Sequence, residues 1–165
     1  MKTLYVIRHA KSGWGALGTA DFDRPLNERG IKDAPEMARR LRQKNCNIDL
    51  FVSSPAKRAK TTCALFCEQF QYPLEKIVFK DELYHAPPDV FVHTVKLLPH
   101  EVNSVALFSH NPGITYFVNS LVPRVQIDNM PTCGVFAVAS DCDQWQQFFD
   151  AECRFLFFDY PKNLS

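Results

Sequence analysis

A chain of 165 residues with 46% hydrophobic content can bury one core without help from crosslinks or metal ions, so a single compact domain is expected. Nineteen Lys and Arg against eighteen Asp and Glu leave a formal charge of +1. That balance provides no basic footprint for nucleic acid or an anionic membrane, so any anionic ligand must be bound locally. The apolar run Leu4 to Ile7 stops at Arg8, too short for a signal-peptide core, and no segment reaches transmembrane length. A cytoplasmic location follows, with reduced thiols at Cys46, Cys63, Cys67, Cys133, Cys142 and Cys153. Cys63 and Cys67 lie one helical turn apart, a spacing that suits core packing better than zinc, and no metal is assigned.

Along the chain, β-branched apolar runs alternate with stretches of helical period, the pattern of an α/β fold with a largely parallel sheet. Thr3 to Ile7 forms the first expected strand. A helical stripe of Ile31, Ala34, Met37, Ala38 and Leu41 follows, with Arg39, Arg40, Arg42 and Lys44 on a solvated face. Pro35 leaves the start of that helix open, since proline belongs in a first turn. Leu50 to Ser53 forms a second strand and feeds Ser54 as N-cap and Pro55 at the first helical position. Ala59, Cys63, Phe66, Cys67 and Phe70 then supply the buried helical face. Lys76 to Phe79 predicts a third strand, Asp89 to Leu98 a helix, and Ser104 to Phe108 a fourth strand running into Ser109-His110-Asn111-Pro112-Gly113. Ile114, Phe117, Val118 and Leu121 make a further helical stripe. The segments CGVFAVAS and CRFLFFDYP read as a hairpin or edge pair joined by a turn-like Asp141-Cys142-Asp143. The FLFF run is expected to be a buried strand, and Lys162 to Ser165 a tail.

Three cationic motifs occupy equivalent places: Arg8-His9 after the first strand, Arg58 in the first turn after the second, and His110 after the fourth. In an open parallel sheet the strand C-termini emerge at one edge, where ligands bind, so these residues are expected to converge. Helix N-termini near Ser54 and Asn111 add N–H groups and positive dipole ends, and the crevice should favour phosphate. Two arginines suit bidentate contacts to phosphoryl oxygens. A neutral imidazole nitrogen can accept the phosphoryl group in line, so one of the two histidines should be the nucleophile while its protonated partner neutralises charge. Side-chain cations then do the work of a metal, and no cofactor is called for.

The stretches RHAKS at residues 8–12, SSPAKRAKTT at 53–62 and SHNPG at 109–113 resemble the histidine phosphatase superfamily, in its short phosphohistidine phosphatase branch of the SixA type. DFDRPLNERG at 21–30, ELYHA at 82–86, Trp145 and YPKNL extend the resemblance over nearly the whole chain. It implies one histidine phosphatase domain over residues 1–165 without a large cap insertion. The implied fold is a phosphoglycerate mutase-like three-layer αβα sandwich of about six strands, mostly parallel with an antiparallel edge. It also implies that His9 is the nucleophile, that Arg8, Arg58 and His110 complete the phosphate pocket, and that an acidic residue after the third strand protonates the leaving group. Of Asp81 and Glu82 we assign Glu82. Ser12 is a candidate phosphate contact. His85, His93 and His100 are read as surface or structural.

The implied activity is removal of the phosphoryl group from phosphohistidine on a protein, through phosphorylated His9. The alternatives are a phosphatase for a small phosphomonoester using the same residues, or an idle module that binds phosphorylated partners. The segment between Arg58 and His110 is consumed by two helices and two strands and leaves no sizeable lid, which favours a shallow site open to a protein surface.

Overall fold

A computed structural model describes residues 1–164. Its elements are β1 (Lys2–Arg8), α1 (Glu28–Gln43), β2 (Leu50–Ser53), α2 (Lys57–Phe70), β3 (Val78–Phe79), α3 (Pro88–Lys96), β4 (Ser104–Ser109), α4 (Gly113–Leu121), β5 (Val135–Ser140) and β6 (Arg154–Asp159), with short 3-10 turns between several of them. The six strands form one sheet in the order β3-β2-β4-β1-β5-β6. β3, β2, β4 and β1 run parallel, while β5 is antiparallel to both β1 and β6. The expected mostly parallel sheet with an antiparallel edge is thus present. Among the described residues no helix is long and apolar enough to cross a membrane.

Alternation along the strands builds the layers. Tyr5 and Ile7 of β1, Phe51 of β2 and Phe108 of β4 face α1 and α2, whereas Leu4, Val6, Val52 and Leu107 face α3 and α4. The stripe Ala34, Met37, Ala38 and Leu41 is fully buried, as are Cys63 and Cys67, which pack in the same layer. Two successive residues of a central strand therefore both meet apolar surface, which is why these strands read as continuous hydrophobic runs.

Several expectations need correction. Ile31 is 54% exposed and stands outside the α1 stripe. Asn27 caps α1, its side chain accepting from the Gly30 N–H at 2.9 Å, and Pro35 lies in the helix interior. Arg40 is no solvated charge. It donates to the carbonyls of Tyr160 (3.0 Å), Pro161 (2.9 Å) and Asn163 (3.0 Å) and pairs with Asp159, tying the last described residues to α1. The expected tail is therefore anchored up to that point; Ser165 lies outside the described residues. β6 is the outer strand of the sheet, so its phenylalanines are only half-buried and Leu156 is 40% exposed. The connection from β5 to β6 is a long excursion over residues 141–153, which inserts Trp145 and Phe148 into the core.

Gly30 shows how tightly α1 is drawn toward the end of β1. A Cβ built there would overlap the carbonyl oxygen of Lys11, three residues past Arg8. In an open helix, alanine in place of glycine gains about 1 kcal/mol. Here the added methyl must push the Lys11 backbone away, so Gly30→Ala is expected to destabilise by roughly 1–3 kcal/mol in urea unfolding. A stabilised variant would mean that the 11–30 contact yields freely.

Candidate active site

The parallel register sets the site. Arg8 of β1 is opposite Ser109 of β4, and Ser53 of β2 is opposite Phe108. His9 and His110 therefore leave two adjacent strands side by side, and the His9 N–H still donates to the Ser109 carbonyl at 3.1 Å. Their ring centroids are 5.2 Å apart. Arg58 enters from the first turn of α2, and a cavity of about 230 Å³ is lined by Arg8, His9, Lys11, Ser12, Arg24, Arg58, His110, Asn111 and Thr132. The structure thus brings together Arg8, His9, Ser12, Arg58 and His110.

Each imidazole is held in a defined way. His9 Nδ1 lies 2.7 Å from the carbonyl oxygen of Ala10. A carbonyl only accepts, so Nδ1 carries the proton and Nε2 keeps its lone pair. The Ala10 N–H donates to Thr62 Oγ1 (2.9 Å), and that hydroxyl donates to the Arg58 carbonyl (2.7 Å), so α2 fixes the carbonyl that orients His9. His110 Nε2 is 2.8 Å from Ser54 Oγ, which accepts from the Ala56 N–H. Ser54 is therefore not the N-cap of α2. That position falls to Ala56, and the hydroxyl serves His110 instead.

Two buried polar atoms, His110 Nδ1 and Arg8 Nε, have no partner among the described residues. Both belong to side chains lining the cavity, and buried donors left unmet mark where an anion is wanted. Arg8 also donates to the Met130 carbonyl at 2.8 Å, and burial and the Arg58 charge lower its pKa, though a guanidinium stays protonated throughout the working range.

Arg58 is braced by a residue that sequence reasoning passed over. It donates to the Asp21 carbonyl oxygen (2.7 Å) and carboxylate (3.1 Å), and Asp21 also accepts from Tyr84 Oη at 2.6 Å and pairs with Arg24 at 3.2 Å. The Tyr84 hydrogen bond first, then Arg58 and Arg24, hold the Asp21 carboxyl down to about 2, so it is ionised at neutral pH. Arg24, which also lines the cavity, donates to Ser12 Oγ at 2.9 Å. The DFDR stretch that carries Asp21 and Arg24 was a signal for both.

Glu82 is not brought to the cavity. It is exposed on the 3-10 turn Asp81–Leu83, as is Asp81. The reason is topological: β3 is the outermost strand on its side, and the turn after it buries only Leu83, whose carbonyl accepts from Ser109 Oγ at 2.7 Å. The residue of this segment that approaches the site is Tyr84, with its ring 5.6 Å from that of His110.

Burial lowers the His9 pKa to about 3, and the Arg8, Arg58 and Arg24 charges add to that against the opposing bond to Ala10. His110 falls to about 2 through burial, then His9 and Arg58. At neutral pH both rings are uncharged. The unfolded chain binds the protons that the folded pair refuses, so stability is full above about pH 6.5 and is lost as pH falls toward 3. His110→Gln removes one of these groups, and the drop in urea midpoint between about pH 7 and about pH 4.5 should shrink in the variant. An unchanged drop would contradict a neutral, buried His110.

Comparison with known proteins gives the family and the fold. The profile described as histidine phosphatase superfamily (branch 1) matches residues 4–83. A chloroplastic protein of Arabidopsis thaliana is 38% identical over 156 residues, spanning 90% of this chain and 71% of that one. A Mycobacterium leprae protein is 27% identical, over 94% of this chain and 100% of its own length. Among solved structures, SixA from Agrobacterium tumefaciens superposes with a TM-score of 0.81 at 28% identity, covering 97% of this chain and 98% of that chain. A protein histidine phosphatase SixA solved with tungstate gives 0.83 at 24% identity, over 99% of each chain, a likeness of fold. With residues 4–83 matched by the family profile, 90% of the chain by a relative 38% identical to it and nearly its whole length by these folds, the chain belongs to the histidine phosphatase superfamily.

Proposed function

We propose that this chain is a metal-independent phosphatase that removes the phosphoryl group from phosphohistidine on a protein, by way of a phosphorylated His9. The observation that carries this reading is the locked tautomer of His9: with Nδ1–H committed to Ala10, only Nε2 is free to attack. The guanidiniums of Arg8 and Arg58 line the same cavity and supply the charge that a transferring phosphoryl group needs.

In the first step the Nε2 lone pair forms a bond to phosphorus and the bond from phosphorus to the substrate nitrogen breaks. The substrate imidazole leaves neutral, having taken a proton from solvent on its other ring nitrogen. In the second step water attacks phosphorus, the bond to His9 breaks, and a proton of the water leaves to solvent. The phosphorylated His9 ring, with its Nδ1–H retained against Ala10, is an imidazolium and hence a good leaving group. His110 is the residue that responds to charge. A dianion beside it opposes the burial that keeps it neutral, so substrate binding favours its protonation and its Nδ1–H donates to a phosphoryl oxygen.

The composition of the wall favours a nitrogen leaving group. The lining residues are cations, imidazoles, hydroxyls and an amide. Asp21, the carboxylate bonded to a lining arginine, is ionised and is an acceptor rather than an acid. An alkoxide leaving group needs a positioned acid worth about 10² to 10⁴ in rate, whereas a phosphoramidate brings its own protonatable nitrogen. The likeness to SixA over nearly the full chain supports the same substrate class, and the whole of residues 1–165 acts as one domain in this reading.

Two measurements test it. After quenching with labelled substrate, the wild type should retain a phosphoryl adduct that is acid-labile and alkali-stable, while His9→Ala should retain none and lose roughly 10⁴-fold or more in turnover. A histidine-phosphorylated protein should be turned over in preference to a panel of sugar and nucleotide phosphates. Clear preference for an ester would reassign the enzyme to small phosphomonoesters.

A further inference from the structure

A second cavity, of about 310 Å³, opens on the other side of His110. Its walls are His85, Ala86, Pro87, Pro88, Pro112 and Tyr116, with Gly113 at its floor. His110 and Asn111 line both this groove and the phosphate cavity, so the two adjoin. The close approach of its walls depends on Gly113, where a Cβ would overlap the carbonyl oxygen of Ala86. That contact draws the start of α4 against the segment after β3 and leaves three prolines and a tyrosine facing one another.

The two halves of this surface differ in chemistry. The phosphate cavity is lined by Arg8, Lys11, Arg24 and Arg58, whereas the adjoining groove carries no acidic, lysine or arginine side chain. Tyr116 is 65% exposed at its rim, an aromatic ring on α4 outside the stripe that packs into the core. A ligand that places its phosphoryl group beside His9 can run its remaining atoms out past His110, over walls where three prolines, Ala86 and the Tyr116 ring outnumber the polar groups of His85, His110 and Asn111. Small phosphorylated metabolites carry several hydroxyls and carboxylates, more than the few polar groups on these walls can meet, while an apolar side chain loses water from both surfaces when it enters.

We propose that this groove is a docking site for the uncharged, apolar residues that flank phosphohistidine on a protein substrate, and that Tyr116 is the residue that selects them. The assignment rests on the phosphohistidine phosphatase reading above. The groove gives that activity a sequence preference: leucine or phenylalanine next to the phosphohistidine is taken, aspartate is refused. Selection acts on binding of the flanking residues and leaves the transfer to His9 untouched, because Tyr116 does not line the phosphate cavity.

The test uses free phosphohistidine and two synthetic phosphohistidine peptides, one flanked by Leu and Phe, the other by Asp. The wild type should favour the apolar peptide by about 10-fold in kcat/KM, the scale of a few methylenes in an apolar pocket. Tyr116→Ala should erase most of that preference through KM while turning over free phosphohistidine at the wild-type rate. Tyr116→Lys, which sets an ammonium on the same wall, should shift the preference toward the Asp-flanked peptide. Turnover of both peptides with no preference in the wild type, or a preference that survives both substitutions, overturns the groove and leaves the phosphatase reading standing. Failure of the wild type to hydrolyse free phosphohistidine or either peptide overturns that reading and the groove with it.

Discussion

The in-phase pairing of two parallel strands underlies everything else at this site. Because Arg8 and Ser109 are cross-strand partners, the next residue on each strand is a histidine, and two imidazoles are delivered 5.2 Å apart at the sheet edge. The sheet could not slip by one residue without turning the apolar partners of β1 and β4 into the wrong layer. Core packing therefore enforces the spacing of the two rings. Burial then decides their charge. Both are desolvated beside guanidiniums, and desolvation and charge repulsion act in the same direction, so both rings are neutral while the arginines stay cationic. A neutral imidazole among fixed cations is the electrostatic arrangement that the proposed attack on a phosphoryl group requires.

Buried guanidiniums are costly unless their donors are met. Arg8 gives one nitrogen to Met130, and Arg58 gives two to the main chain and carboxylate of Asp21. The ion pair to Asp21 is half-exposed, so its Coulombic strength is modest. Its consequence is geometric. Tyr84 and Arg24 converge on the same carboxylate, and three segments of the chain become joined around the arginine.

What the sequence disclosed follows from how local each signal is. Strands β1, β2 and β4 read clearly, because buried parallel strands are continuous apolar runs, and the residues at their C-terminal ends could be named before any contact was known. Glu82 shows the boundary of that reasoning. The resemblance implied an acid after the third strand, but only the sheet order, with β3 outermost, shows that the following turn leaves both Asp81 and Glu82 in solvent. Ser54 fitted a cap by residue type, yet one hydroxyl cannot serve every neighbour, and His110 is what stands beside it. Arg40 lies on a face that periodicity marks as polar, and only the last residues of the chain turn that face into an anchor. Asp21 opens a three-residue 3-10 turn that Arg24 closes, too short for any period to place a side chain.

One hydroxyl joins His9, the proposed nucleophile, to the segment that carries Arg58. Thr62 Oγ1 accepts from the Ala10 N–H and donates to the Arg58 carbonyl, while the Ala10 carbonyl fixes the proton on His9 Nδ1. The tautomer of His9 and the start of the helix that carries Arg58 are therefore set through a single buried side chain, which is itself held by α2 packing against the sheet. A threonine at that position links the two groups that, in the proposed mechanism, act on one phosphorus atom, one by attack and one by charge. The consequence is that displacement of α2 would misplace both together, so the site fails as a unit. Its two parts occur in sequence as separate motifs, RHAKS and SSPAKRAKTT, but in the folded chain Thr62 makes them one structure.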